Sequence, residues 1–240
     1  MSRKSQRIMA SMTPVNYFIV SGGAGGIGSA VSKLLPSLGI VPIVCFNSNA
    51  KDAKQLAKET GGFAVQLDMM SEQSISRGIS MIENTLEDHD LLLGLILGAS
   101  PPPDLLPFSK LTQKHFLDQF QVNVTGPHFL LSSLLNKFFR KNKTGQVIGI
   151  LSNAIGSDSK LPATGMGAYV VAKCSMQSLL AVCSAEYPWL DVTSISPGFT
   201  KTKMLEVFDE RYIQLIAEKN PISDPEDIAK IIVHKIKTQN

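Results

Sequence analysis

Short apolar runs alternate with longer stretches of mixed character along the whole chain. The alternation predicts strands at 17–20, 41–46 and 63–67, with helices from about residue 27, at 51–59 and at 71–87. It resumes with a strand at 91–97, a long helix at about 112–140, a strand at 147–151, a helix at about 168–186, a strand at 192–196 and a last helix near Pro225. The runs LLLGLIL (91–97) and VIGIL (147–151) are apolar on both faces, as parallel strands must be when helices cover both sides of their sheet. The expected class is therefore α/β, a doubly wound parallel sheet. Pro42 falls inside the second strand, where a position near the strand start tolerates it. Pro101, Pro102 and Pro103 mark the loop after the fourth strand. No repeat or linker breaks the pattern, so residues 14–240 are expected to form one domain behind a flexible tail, 1–13.

Composition adds limits. In 240 residues, 44% are hydrophobic and 18% charged, a balance that buries a large core and excludes disorder or a collagen-like chain. The net charge of +3 is supplied by Arg3, Lys4 and Arg7 in the tail, which leaves 14–240 neutral, with no nucleic-acid partner implied. The longest apolar run, 91–99, is well short of the ~20 residues of a membrane span, so no membrane partner is expected. The first thirteen residues are Ser-rich, basic and acid-free, which suits both an organelle transit peptide and an ordinary unstructured tail. Cys45, Cys174 and Cys183 have neither metal-ligand spacing nor the density of a disulfide scaffold. Packed thiols, no metal and a cytoplasmic setting are the expectation.

The first strand runs into Ser21-Gly22-Gly23-Ala24-Gly25-Gly26-Ile27-Gly28, and a helix follows at once. Glycines there let the backbone approach a pyrophosphate, and the helix N-terminus offers free amides and a partial positive charge. That placement makes the fold Rossmann-like. Two registers fit: Gly23, Gly25 and Gly28 as GxGxxG, or Gly22, Gly26 and Gly28 as GxxxGxG. The second strand ends Phe46-Asn47-Ser48-Asn49 without the acid that NAD-specific folds use for the ribose 2′-hydroxyl. Asn47 and Ser48 can hydrogen-bond a 2′-phosphate and Lys51 lies close by, so NADP(H) is expected over NAD(H). Tyr169 and Lys173, four apart, share one face of a helix, where an ammonium favours the phenolate and tunes the phenol for proton exchange.

Together these motifs resemble the short-chain dehydrogenase/reductase superfamily from Tyr17 to Ile236. Ser21, Gly22, Gly26 and Gly28 match its TGxxxGxG, Asp68 its adenine-contacting Asp, and Asn123 its helix-borne Asn. Tyr169 and Lys173 match YxxxK, and Pro197, Gly198 and Thr202 match PGxxxT. The resemblance implies Tyr169 as general acid, Lys173 lowering its pKa and binding the nicotinamide ribose, and Asn123 holding a relay water. It also implies cofactor contacts from Ile27, Met69, Gly98, Ala99, Thr200 and Thr202.

Three departures qualify the match. Leu97-Gly98-Ala99-Ser100 replaces the usual Asn-Asn-Ala-Gly. Leu151-Ser152-Asn153-Ala154-Ile155-Gly156 spaces the serine and glycine one residue too far, so either Ser152 or Asn153 fills the catalytic serine role; Ser152 is favoured, absorbed by a bulge. The chain also stops at Asn240, without the family's last strand. The expected function is NADP(H)-dependent reduction of a ketone to a secondary alcohol, nearest to beta-ketoacyl carrier-protein reductases. The alternative is a cofactor-binding scaffold or redox sensor with little catalysis. Met166, Phe199, Met204, Leu205, Val207 and Phe208 suggest an apolar substrate wall. The basic run Lys137, Arg140, Lys141 and Lys143 reads either as a docking face for an acidic carrier or as a solvated helix end, the latter favoured. A homodimer paired through the helices at 112–140 and 168–186 is expected.

Overall fold

The structure is a computed structural model that describes residues 14–219 and 221–237. Six parallel strands form one sheet: β1 (Asn16–Ser21), β2 (Ile40–Phe46), β3 (Phe63–Gln66), β4 (Leu91–Leu97), β5 (Gln146–Ile150) and β6 (Asp191–Ile195). Their order is β3-β2-β1-β4-β5-β6, so the winding reverses between β1 and β4 and opens a crevice at the strand ends there. β3 pairs with β2 only from Ile43 onward, so the missing N–H of Pro42 falls outside that ladder.

The covering helices are α1 (Gly26–Leu34), α2 (Ala50–Thr60), α3 (Glu72–Thr85), the rod α4 (113–142), α5 (Gly167–Glu186), α6 (Glu210–Lys219) and α7 (Pro225–Lys235). One core lies between the sheet and α3, α4 and α5, with Ile75, Leu130, Leu134, Met176 and Leu180 facing Ile19, Leu95 and Val147. The other sets Val31, Ile228 and Ile232 against Phe18, Ile96 and Ile148. α5 is long and apolar enough to cross a membrane, but here it is a core helix with Ala172, Met176 and Leu180 buried in the domain.

Two features depart from the sequence pattern. The rod α4 is interrupted by π-helical turns at Gln121–Thr125 and Leu135–Phe139, each of which widens the helix by a residue. α6 is a further helix, following directly after the residues 199–208 read as part of an apolar wall. The expected tail, 1–13, lies outside the described residues.

Candidate active site

The glycine turn is held by backbone sterics. Gly22 has φ +69°, and a Cβ there would lie 2.9 Å from the Ala99 nitrogen at the end of β4. A Cβ on Gly28 would strike the Gly22 carbonyl, and one on Gly26 would strike the Thr202 methyl. Gly25 is the N-cap of α1, so Gly26 and Ile27 begin the helix and Gly28 is buried in it. Gly23 is crowded too, a Cβ there lying 2.7 Å from the Val20 carbonyl, whereas Gly25 of the GxGxxG register is looser, at 3.2 Å from the Gly22 carbonyl. The contact of Gly26 with Thr202 is therefore what favours GxxxGxG. Together the glycines form a cradle that side chains would fill, with free helix amides at its base, which fits a dinucleotide pyrophosphate. Ser21 is buried, and its hydroxyl accepts from Ala99 N at 3.4 Å, tying the ends of β1 and β4 beside Gly98.

Other expected cofactor residues stand at neighbouring strand ends. Asn47 and Ser48 are exposed beyond β2, and Gln66 donates to the Asn47 carbonyl at 3.0 Å. Nearby Asp52 is engaged by the Asn49 amide at 2.7 Å. Asp68 accepts from Met70 N at 2.9 Å through Oδ1, and its own N–H donates to Ser74. Met69 is buried, with its carbonyl against Gly126 of α4. Beyond β6, Pro197 accepts from Asn153 N at 2.9 Å, and Thr200 is buried with its hydroxyl on the Gly198 carbonyl. Thr202 reaches Gly26 across the cradle.

The polar cluster lies where α4 and α5 meet the ends of β4 and β5. Tyr169 and Lys173 are both buried on one face of α5. The Lys173 ammonium sits 5.7 Å from the Tyr169 ring centre and donates to the Ile150 carbonyl at 2.9 Å. Burial drives Lys173 down to about 7. Burial also holds the Tyr169 phenol above its ordinary value, and a hydrogen bond with the Ser152 hydroxyl pulls it partway back. One of the three ammonium N–H groups of Lys173 is thus engaged by a backbone carbonyl, and burial is the larger influence on the phenol.

Ser152 is the residue that meets Tyr169. Its Oγ also accepts from Ala154 N at 3.2 Å, and the extra residue is taken up by a single 3₁₀ turn at Asn153–Ile155 ending at Gly156, φ +78°. Asn153 is exposed and turned to the Pro197-Gly198 loop, where a Cβ on Gly198 would lie 3.0 Å from its Nδ2. The insertion is thus absorbed as a turn after the strand and not as a bulge within it.

Asn123 is fully buried within the first π-helical turn. Its Nδ2 donates to the Gln119 carbonyl at 3.0 Å and to Gln119 Oε1 at 3.1 Å. Its Oδ1 is the one buried side-chain polar atom without a hydrogen-bond partner among the described residues. Gln119 was not singled out from the sequence, although an amide four residues before Asn123 is a visible signal.

Over this cluster lies an aromatic wall. Phe199 packs edge-on to Phe208 at 5.4 Å, Phe208 stacks on Tyr212 of α6 at 5.7 Å, and Phe208 packs with Met166 and Tyr169. Val207 is 40% exposed and stands at the rim. The basic run is elsewhere. It ends α4 just before β5 begins, at the N-terminal ends of the strands and so opposite the end where Ser152 follows β5, with Lys137 paired to Glu83 and Arg140 over the Tyr187 ring.

The chain is similar to known proteins. The chain is 25% identical over 226 residues to a 3-oxoacyl-[acyl-carrier-protein] reductase of Aquifex aeolicus, covering 90% of this chain and 87% of that one. It is 26% identical over 221 residues to an acetoacetyl-CoA reductase of Shinella zoogloeoides, covering 90% and 88%. The fold superposes on a 3-ketoacyl-(acyl-carrier-protein) reductase from Brucella melitensis complexed with NADH, with TM-score 0.81 at 18% identity over 95% of this chain and 93% of the other. With residues 16–212 matching the family described as short chain dehydrogenase, the chain belongs to the short-chain dehydrogenases, nicotinamide-dependent oxidoreductases of this fold.

Proposed function

We propose that the protein reduces a ketone to a secondary alcohol, using NADPH in preference to NADH, with Tyr169 as the proton donor. The reading is carried by one observation: a buried phenol hydrogen-bonded to Ser152 with the Lys173 ammonium 5.7 Å from its ring on the same helix. A protonated phenol can give a proton to an oxygen that is gaining negative charge.

The cradle of Gly22, Gly26 and Gly28 would hold the pyrophosphate, Asp68 and Met69 the adenine side, and Thr200 and Thr202 the nicotinamide side. When bound, the cofactor supplies a hydride to the carbonyl carbon. Tyr169 then delivers its proton to the oxygen, and Ser152 donates a hydrogen bond that stabilises the developing charge. Lys173, within reach of the ribose and beside the ring, supports the phenolate left behind, and Asn123 is poised to hold a water that returns the proton. The preference for NADPH rests on the absence of an acid at the end of β2, where the exposed Asn47 and Ser48 can hydrogen-bond a 2′-phosphate.

The substrate class is an apolar ketone, because Met166, Phe199 and Phe208 enclose the approach to Tyr169. The relatives named for acyl-carrier and CoA-linked substrates support that class. Carrier docking on Lys137–Lys143 is disfavoured, since that run leads into β5 at the end of the strand opposite Ser152. A homodimer through α4 and α5 is supported by the exposed apolar side chains Leu117, Val171 and Val182 on those helices, and light scattering that returned a monomer or a stable tetramer would refute it. The three free thiols suit a cytoplasmic setting.

The rival reading is a cofactor sensor without turnover. Steady-state oxidation of NADPH and of NADH against a panel of apolar ketones separates the two. The proposal expects turnover with NADPH and weaker binding of NADH. Tight cofactor binding with no turnover of any ketone would favour the sensor.

A further inference from the structure

α6 is an amphipathic helix that the fold does not use for its core. Tyr212, Leu215 and Ile216 recur at the i, i+3, i+4 spacing of one apolar stripe. Yet no residue from 210 to 218 is buried, and Tyr212 and Leu215 are 44% and 55% exposed. The next helix behaves differently: α7 buries Ile228, Ala229 and Ile232. The base of the α6 excursion is nonetheless fixed. Ser223 N donates to the Phe199 carbonyl at 2.9 Å, Lys201 N donates to the Ser223 carbonyl at 3.0 Å, and Lys201 Nζ meets Asp224 at 3.0 Å.

The stripe continues the site already described. Tyr212 stacks on Phe208 at 5.7 Å and stands edge-on to Phe199 at 6.4 Å, and Phe208 packs against the cluster of Met166, Tyr169 and Val170. Ile216 lies one helical turn past Tyr212, so apolar surface runs on for roughly 10 Å beyond Phe208, more than a single ring held at Tyr169 would cover. Its near part offers both faces and edges of aromatic rings, the geometry that receives another ring.

Charge at this end of the sheet is balanced. The segments that leave β4, β5 and β6, residues 98–112, 151–166 and 196–224, hold six basic and seven acidic side chains. A substrate handle bearing several phosphate charges is drawn in by a positive field. Charges balanced in this way supply none, and Lys201 is already engaged by Asp224.

We infer that the ketone is an uncharged molecule with a rigid body of more than one ring, laid along Phe208, Tyr212 and Ile216, and not a thioester on a phosphate-bearing handle. This deepens the ketoreductase reading and rests on it. A rigid body covers the stripe without the rotamer entropy that an open chain loses on ordering.

Four ketones with NADPH test the class on the full-length protein: the fused bicycle 1-decalone, cyclohexanone, the open-chain 2-decanone and acetoacetyl-CoA. kcat/KM should be highest for 1-decalone, by about 10- to 100-fold over cyclohexanone, the scale of one further buried apolar group, and by about tenfold over 2-decanone. Tyr212→Ala and Ile216→Ala should each raise KM for 1-decalone about tenfold and KM for cyclohexanone far less. Both should melt close to wild type, since neither side chain is buried. Hydrogen exchange is read apart from turnover: with NADP+, which has no hydride to give, 1-decalone should slow exchange across residues 210–218. Protection without reduction of any ketone would leave the substrate class standing and remove the ketoreductase reading. Acetoacetyl-CoA reduced better than 1-decalone, or 2-decanone reduced as well as it, overturns the class while the ketoreductase reading stands. Absence of protection at 210–218, or a 1-decalone KM unmoved in both variants, also overturns it.

Discussion

The two halves of the site are specified by different physics. Around Gly22, Gly26 and Gly28 the constraint is space: backbone meets backbone, and one added carbon collides with the Gly22 carbonyl or with Thr202. Around Tyr169 the constraint is polarity in a buried volume, where Ser152, Lys173 and Asn123 each have a specific partner and desolvation sets their proton affinities. The first half can bind a dinucleotide with almost no side-chain chemistry. The second does nothing to hold the fold that apolar residues would not do better, since burying an ammonium and an open amide acceptor costs stability. Its retention is what marks it as functional.

That contrast should break in predictable ways. After the loss of the Tyr169 hydroxyl itself, the largest effect is expected for Ser152→Ala, which removes the donor to the substrate oxygen and should lower turnover by ~10²–10³, with cofactor affinity intact. Asn153→Ala, on the exposed side of the same turn, should stay close to wild type. A turnover loss confined to Asn153→Ala would reverse the assignment. In the cradle, Gly28→Ala drives a methyl into backbone and should cost about 1–3 kcal/mol of stability by overpacking. It should weaken cofactor binding together with the melting temperature, and an unaffected Kd would show that the cradle is not the binding site.

The smallest effect concerns pH. With Lys173 near 7 in the folded protein and at its ordinary value of 10.5 when unfolded, the unfolded chain binds the proton more tightly. The stability penalty of this group is therefore present in full below about pH 7 and is relieved as pH rises toward the unfolded value. Cofactor affinity should run the other way, weakening several-fold as pH rises through about 7 and the ammonium is lost, because hydrogen bonds from a charged donor are the stronger ones. Titration of NADPH binding across this range checks it, and Lys173→Met should abolish the dependence. A wild-type profile flat through pH 7 would count against a cofactor contact by Lys173.

The same contrast governs what the sequence made legible. β4 appears where LLLGLIL places it, Leu91–Leu97, because a strand buried on both faces leaves an unbroken apolar run. The glycine register was open on spacing alone, and the contact that favours GxxxGxG, Gly26 against Thr202, comes from a distant part of the chain. Ser152 and Asn153 could not be separated by pattern, because the 3₁₀ turn that splits them begins where the ladder ends. The π-helical turn around Asn123 has no periodic signature, since it shifts the helix phase within five residues. The Tyr169 and Lys173 pair was visible from its spacing, but the direction of the phenol's shift was not, because it is set by burial, with the Ser152 hydrogen bond opposing it.

The account rests on Tyr169 as a proton donor and not as a packed aromatic. Tyr169→Phe removes one hydroxyl and leaves the ring, so NADPH titration and steady-state ketone reduction on the same protein preparation test it most directly. The expected result is an unchanged Kd for NADPH with turnover reduced by ~10²–10⁴, the usual contribution of a general acid. A Tyr169→Phe protein that reduced the ketone at close to the wild-type rate would contradict it.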